Sequence, residues 1–400
     1  MNIALGAFLL SGNPSYRQAG VHRYAQAMLE HLPRVAHQHG HDIAAFVSPT
    51  ALPNTQSTIS LHPASRSTEN PSQRILVEQI ETPRLLRGAK FDLYHGLGFV
   101  APLRSPCKTI VSVMDLSFVT QPRAHKIVNR TYLSLFTKWS CQRAVRVIAI
   151  SELTKRDIVS HFKIDPHKID VTLLGVDARF KPQPDDEVAS FKHASEIGDH
   201  AIFYLGSLEP RKNLERLIEA FAIMTDDGRR MMNGGGQTTN DQAHRLSPVV
   251  HSQLIIGGAL GWKYENVFAR IKQFGLEEKV KLIGRVDDDD LPKWYSACAV
   301  FAYPSLYEGF GLPPLEAMAC GAPIVASNVT SLPEVIGDAG ILVVPTDTQS
   351  LANALLRVLQ DDALRDAMRA KSLARAALFS WHRTAERTVE SYERATLNRL

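Results

Sequence analysis

Cysteine is scarce. Cys107, Cys141, Cys298 and Cys320 stand far apart in 400 residues and form no C-x-x-C pair. That spacing argues against a disulfide framework or a zinc cage, suits a reducing compartment, and leaves small buried apolar side chains as their expected role. Net charge is scarce too: 45 Lys and Arg against 41 Asp and Glu leave +4. The chain therefore lacks the polyelectrolyte character of a nucleic-acid binder, and any anion site must be local. No run approaches the ~20 apolar residues needed to span a bilayer. The opening Met1-Asn2-Ile3-Ala4-Leu5 also lacks the basic lead-in of a signal segment. The expectation is a soluble, cytoplasmic protein.

What is present is an ordinary globular composition, 44% apolar and 22% charged, over a length that favours two domains. Short β-rich runs at 3–10, 43–47, 93–95, 109–113, 145–150 and 170–174 alternate with helical patterns. The clearest helix opens at Gly20, where Val21, Tyr24, Ala25, Met28, Leu29 and Leu32 keep the i, i+3, i+4 rhythm of one buried face. A second series at 201–205, 253–256, 280–283, 299–303, 323–326 and 341–344 follows the proline-bearing stretch Phe180-Lys181-Pro182-Gln183-Pro184. The pattern predicts an α/β protein of two Rossmann-like domains, with ligands beyond the carboxyl ends of the strands and a cleft between the facing edges. The polar stretch Ser11–Pro14 and the segments 51–72 and 225–248 read as surface loops.

Arg211 and Lys212, in Leu205-Gly206-Ser207-Leu208-Glu209-Pro210-Arg211-Lys212-Asn213, flank the start of a helix whose apolar face is Leu214, Leu217, Ile218 and Phe221. Free N–H groups and the positive end of a helix dipole favour an anion there, and Arg can fork onto two phosphate oxygens. A solvated basic pair is the competing reading. The second element, Tyr303-Pro304-Ser305-Leu306-Tyr307-Glu308-Gly309-Phe310-Gly311-Leu312-Pro313-Pro314-Leu315-Glu316, predicts a strand end, a glycine-bearing loop and a helix beginning at the prolines, with Glu316 in its first turn. Two carboxylates so placed are suited to accept hydrogen bonds from vicinal diols.

Glu308 to Glu316 resembles the E-x7-E signature of family 4 of the GT-B glycosyltransferases. The Gly206-to-Asn213 segment resembles that family's donor-phosphate motif. Val147-Ile-Ala-Ile-Ser151-Glu-Leu-Thr-Lys155 and Ser380-Trp381 resemble its interdomain and terminal segments. The resemblance covers nearly the whole chain. It implies a GT-B fold with an acceptor-binding domain at 1–177, a nucleotide-sugar domain at 178–381, and a helix from about 382 to 400 returning to the first domain. It implies a retaining, metal-independent hexosyltransferase with no cofactor, moving a hexose from a nucleotide-diphosphate sugar to a hydroxyl of a glycan or lipid-linked acceptor. Glu316 would bind the donor ribose, Glu308 the transferred sugar, and the Phe310-Gly311-Leu312 backbone the sugar and diphosphate. Arg211 and Lys212 would neutralise the diphosphate. Gly20 and Gly206 would let backbone approach the phosphates, and Arg285 and Val286 would line the base pocket. The Leu-Glu-Pro-Arg-Lys-Asn form resembles mannosyltransferases and gives a slight lean toward GDP-mannose.

Two departures stand out. Met114 occupies the position where the family often carries His, which shifts that site's chemistry toward Asp115, and Gly206-Ser207 replaces a Gly-Arg pair. His95 is open to two readings, an acceptor contact or a packed loop residue. Asp287 to Asp290 invites a metal reading, but the run precedes a helix where N-capping accounts for acidic residues. A sugar phosphorylase, an epimerase and a nonenzymatic nucleotide-sugar binder are the alternatives. Finally, Lys126, Arg130, Lys138 and Arg143, interspersed with Val128, Tyr132, Leu135 and Trp139, form either a basic amphipathic helix for the anionic inner face of a membrane or an ordinary solvated helix.

Overall fold

The computed structural model describes residues 1–10, 20–50, 59–121, 127–233 and 251–397. The loop expected at Ser11–Pro14 and the basic residue Lys126 lie outside these ranges, as do 51–58 and 234–248 of the expected loops.

The chain divides into two compact units, Met1–Gly175 with Phe379–Leu400, and Val176–Leu378. The boundaries read from the sequence fall within a few residues of these. The first unit carries strands β1 (Asn2–Ala7), β2 (Asp42–Val47), β3 (Ser60–Pro63), β4 (Leu93–Gly96), β5 (Lys108–Val113), β6 (Arg146–Ala149) and β7 (Ile169–Val171). They pair in parallel in the order β3-β2-β1-β4-β5-β6-β7. Near-continuous burial of β1, β4 and β5 matches strands covered on both faces. The strand β3 corrects the expectation of loop over 51–72. Its residues Ser-Leu-His-Pro have no apolar alternation, and an edge strand tolerates both that and the proline.

The Gly20–Gln38 helix buries Tyr24, Ala25, Met28, Leu29 and Leu32, as the periodicity predicts. Against it packs the Trp381–Leu397 helix, which buries Trp381, Ala385, Val389 and Tyr392 and sets the Trp381 ring 6.4 Å from that of Tyr24. Asp170 of β7 anchors this last helix by accepting from Ser391 Oγ (2.7 Å) and Arg394 Nη1 (2.7 Å), and it also pairs with Arg146.

The second unit carries β8 (Ala201–Leu205), β9 (Gln253–Gly257), β10 (Val280–Gly284), β11 (Val300–Tyr303), β12 (Ile324–Ser327) and β13 (Gly340–Val343), parallel in the order β10-β9-β8-β11-β12-β13. The chain builds outward from β8 through β9 and β10, then returns to place β11 on the other side. The crevice beyond the carboxyl ends of β8 and β11 is therefore the switch point at which such sheets bind ligands. The Leu214–Asn233 helix extends through residues expected as loop from Thr225, which corrects that expectation: once the apolar-faced first turns have formed, adding residues costs far less than nucleating a helix.

Cys141, Cys298 and Cys320 are buried free thiols and Cys107 is half-buried and free. Among the described residues no helix is long and apolar enough to cross a membrane.

Candidate functional site

Two loops meet at the second unit's switch point. The loop after β8 runs through Gly206, whose N–H donates to the Gly257 carbonyl (3.0 Å) and is thus committed to the neighbouring strand's end. Pro210–Lys212 then forms a 3-10 turn, and Asn213, at φ +60°, separates it from the helix beginning at Leu214. Arg211 and Lys212 thus sit on their own turn just before that helix. Asn213 Nδ2 donates to the carbonyls of Pro304 (3.0 Å) and Pro345 (2.8 Å), and the Leu306 N–H donates to the Arg211 carbonyl (2.9 Å). The bonds to Pro304 and Leu306 pin the β8 loop to the loop after β11, and the bond to Pro345 ties it to the segment after β13.

Glu308 lies at the junction. Its Oε1 accepts from Lys212 Nζ (2.7 Å) and its Oε2 from Arg211 Nη1 (3.2 Å). Arg211 Nη1 also donates to the Tyr307 carbonyl (2.7 Å) and Nη2 to Glu209 Oε1 (2.8 Å). Burial by itself would raise the Glu308 pKa, but the Lys212 and Arg211 charges outweigh it and hold the carboxyl down at about 2. Burial lowers the pKa of Lys212, with Glu308 opposing that shift. Arg211 and Lys212 are chain neighbours, but Glu308 stands 96 positions from Lys212, and the structure couples the three into one ion cluster.

Thr330 and Ser331 fix the loop itself. Ser331 Oγ donates to the carbonyls of Glu308 and Phe310 (both 2.9 Å), and the Glu308 N–H donates to Thr330 Oγ1 (3.2 Å). Gly311 holds φ +104°, and a Cβ there would lie 2.8 Å from Leu332 Cδ2, so this position requires glycine. The helix Leu312–Ala319 follows. Pro313 and Pro314 have no N–H, so Leu312 presents the first-turn donor next to Gly311.

Glu316 falls in the second turn of this helix rather than the first, because the helix begins at Leu312. Its carboxylate is buried and accepts from Tyr295 Oη (3.1 Å) on the Leu291–Ala297 helix. Beyond β10, Gly284 takes φ +66°, Arg285 is exposed, and Val286 packs its side chain against Gly257. Asp290 occupies the N-cap position of the Leu291–Ala297 helix without capping it through its side chain. Its carboxylate instead accepts from Lys293 Nζ (2.9 Å). Asp290 is therefore paired locally, while Asp288 accepts from Arg179 Nη2 (3.2 Å), and the capping expectation is corrected. Among the described residues no group of three or more His, Cys, Asp or Glu is gathered as a metal site.

The remaining candidates belong to the first unit. Gly20 opens its helix, as expected. Asp115 follows β5 and accepts the Ser117 N–H (2.8 Å). Met114 is a buried core residue whose carbonyl accepts from Thr154 Oγ1 (3.3 Å). His95 lies within β4, fully buried, its Nδ1 at 2.7 Å from Tyr392 Oη and its Nε2 at 2.8 Å from Ser112 Oγ. Burial pushes its pKa down to about 3. It is a neutral packing residue with both nitrogens engaged, which corrects its reading as an acceptor contact.

Sequence reasoning did not single out Glu209, Asn213, Tyr295, Tyr303, Thr330 or Ser331. Glu209, Asn213 and Tyr303 stood inside the quoted motifs; Tyr295, Thr330 and Ser331 come from segments that only the fold brings to the loops.

Residues 19–180 match the family described as Glycosyltransferase Family 4, and residues 185–375 match Glycosyl transferases group 1. The chain is 32% identical to O-antigen chain mannosyltransferase B of Escherichia coli over 309 residues, 77% of this chain and 76% of that one. It is 30% identical to a D-inositol 3-phosphate glycosyltransferase of Nocardioides, across 64% of this chain and 54% of the relative. Among solved structures, sucrose-phosphate synthase from Thermosynechococcus elongatus superposes with a TM-score of 0.75 at 19% identity, over 99% of both chains. Anabaena HepE in complex with UDP and glucose gives 0.71 at 17% identity, over 98% of this chain and 100% of that one. With both units matched and the ion cluster at the strand switch point, the chain belongs to glycosyltransferase family 4 and has the GT-B fold.

Proposed function

We propose that this chain is a retaining, metal-independent hexosyltransferase that uses a nucleotide-diphosphate hexose, with GDP-mannose favoured, and transfers the sugar to a hydroxyl of a glycan or lipid-linked acceptor. The observation that carries this reading is the Arg211–Lys212–Glu308 ion cluster beyond β8 and β11, in which Lys212 and Glu308 are buried. Its two cations supply, from side chains, the positive charge that a departing nucleoside diphosphate requires. Glu308 is held ionised far below neutral pH. That suits it to accept hydrogen bonds from sugar hydroxyls and makes it a poor proton donor. Glu316 has the role of ribose clamp, oriented by Tyr295, and the Leu312 N–H with the Phe310-Gly311 backbone faces the sugar and diphosphate. Departure of the diphosphate and attack by the acceptor hydroxyl then take place on one face of the sugar. The lean toward mannose rests on the Glu209-Pro210-Arg211-Lys212-Asn213 form and on the mannosyltransferase relatives.

The membrane contact proposed for a lipid-linked acceptor draws support from the Ile127–Arg143 helix. It carries Arg130, Lys138 and Arg143 with no acidic residue and exposes Leu135 and Trp139. Tyr132 Oη donates to Glu78 Oε2 (3.0 Å) on the adjacent helical segment, which exposes Leu76, Ile80 and Leu85. Exposed apolar side chains on a helix with basic and no acidic residues suit contact with an anionic leaflet. Sedimentation with anionic vesicles but not neutral ones is expected; no binding to either ends this part of the reading.

A thermal-shift screen across GDP-, UDP- and ADP-sugars tests the donor, because a ligand at 100 times its Kd adds about 2.7 kcal/mol to stability. GDP-mannose is expected to give the largest shift. Product analysis with an acceptor, in chelator, should show transfer with the anomeric configuration kept. Donor binding without transfer or hydrolysis would instead identify a nonenzymatic binder. Turnover that requires inorganic phosphate, or that isomerises the donor without an acceptor, would identify a phosphorylase or an epimerase.

A further inference from the structure

Strand β11 is fully buried, and its residues Val300, Phe301 and Ala302 are apolar; Tyr303, at its carboxyl end, is fully buried as well. A phenol hydroxyl in such a strand is costly unless paired, and a phenylalanine would fill the same space. The ring is immobilised between Tyr204 (5.9 Å, stacked) and Phe301 (5.8 Å, stacked). Its hydroxyl accepts from Lys212 Nζ at 2.8 Å. The ammonium lies 5.1 Å from the ring centroid. It therefore caps the hydroxyl end and does not sit over the ring face.

We propose that Tyr303 is a positioning residue for Lys212, which holds its ammonium beside Glu308 and turns the remaining N–H toward the donor diphosphate. The ammonium has three hydrogens. One goes to Glu308 Oε1 and one to Tyr303 Oη, fixing two directions and thereby the third. Lys212 is 7% exposed, so its flexible stem gains no guidance from water. Glu308 supplies charge but leaves the amine free to rotate about a single contact; the second contact, from a clamped ring, removes that freedom. This inference rests on the diphosphate reading for its consequence, not for its geometry.

Tyr303→Phe keeps the ring stack and removes only the oxygen. In protein labelled at lysine Cε, the Lys212 resonance, assigned with Lys212→Met, is followed with pH in the absence of any ligand. The hydroxyl accepts from the charged amine, so its loss should move the Lys212 titration to lower pH by about one unit, equivalent to a tenfold change. An unchanged titration overturns the proposal. In calorimetry with GDP and UDP, Tyr303→Phe should weaken binding about tenfold, the effect of one hydrogen bond to a charged group. The same change in a Lys212→Met background should then cost nothing further. An equal loss in both backgrounds would make Tyr303 a packing residue and overturn the assignment. Absence of GDP and UDP binding by the parent protein would sink the diphosphate reading, while the Lys212 resonance would still decide the role of Tyr303.

Discussion

At Glu308 one carboxylate is shared by two cations, and each partner is held by the others. Removing the carboxylate leaves the buried Lys212 ammonium without its counter-charge. Glu308→Gln should therefore destabilise the protein by about 3–5 kcal/mol, the scale for breaking a buried ion pair, as read by urea denaturation. Arg211→Ala is different, since its guanidinium is partly solvated and also bonds a carbonyl. That variant should fold while losing on the order of 10²–10³ in kcat, the scale for a removed charge-stabilising donor. Normal turnover in the folded variant would exclude Arg211 from the chemistry. His95 makes a separate prediction in the first unit. Its folded pKa of about 3 lies below its ordinary 6.5, so the unfolded chain takes up a proton first as pH falls. The stabilising contribution is complete above about pH 6.5 and is lost on descent toward 3, at about 1.4 kcal/mol per pH unit. Denaturation at pH 7 and pH 5 should show that slope in the parent and its absence in His95→Gln.

Among elements, the Leu312–Ala319 helix shows how sequence and structure divide the information. The two prolines locate its start from the sequence alone, since they suit the first turn. They do not fix which turn holds Glu316; that follows from Gly311, whose left-handed conformation ends the loop one residue before Leu312. Gly311→Ala should cost about 1–3 kcal/mol in stability, the scale for strain at such a position. It should also weaken donor binding by displacing the Leu312 N–H, which thermal shifts with and without nucleotide sugar can separate. The edge strand β3 was illegible for the opposite reason. Ser60–Pro63 has no pattern of its own and is a strand only because β2 offers it a ladder. Local pattern likewise assigned Asp290 a capping role, whereas Lys293, one turn on, captures its carboxylate.

In the whole molecule, the chain leaves the first unit at Gly175 and re-enters it at Phe379. These two passages touch. A Cβ on Gly175 would lie 2.1 Å from the Trp381 backbone nitrogen, so Gly175→Ala must shift backbone. The returning helix completes the first unit's core. Tyr392 reaches His95, and Ser391 and Arg394 reach Asp170. Cutting the chain after Leu378 would expose the core face of the Gly20–Gln38 helix and strip partners from both buried groups. Proteolysis of the shortened protein should degrade the first unit while the Val176–Leu378 unit persists; equal resistance of both units would refute the dependence.

The sequence by itself determined the class of this protein, two parallel α/β units with boundaries within a few residues of those observed, and it singled out Arg211, Lys212, Glu308 and Glu316 as candidates. Each of these is written locally, in hydrophobic period or in a motif whose members are near neighbours in the chain. Only the tertiary structure decided how those residues are coupled. Tyr303 reaches Lys212 across 91 positions, Tyr295 reaches Glu316 across 21, and Tyr392 reaches His95 across 297. Hydrogen bonds and burial act over a few ångströms of space, and no local pattern records which distant segment will arrive within that range.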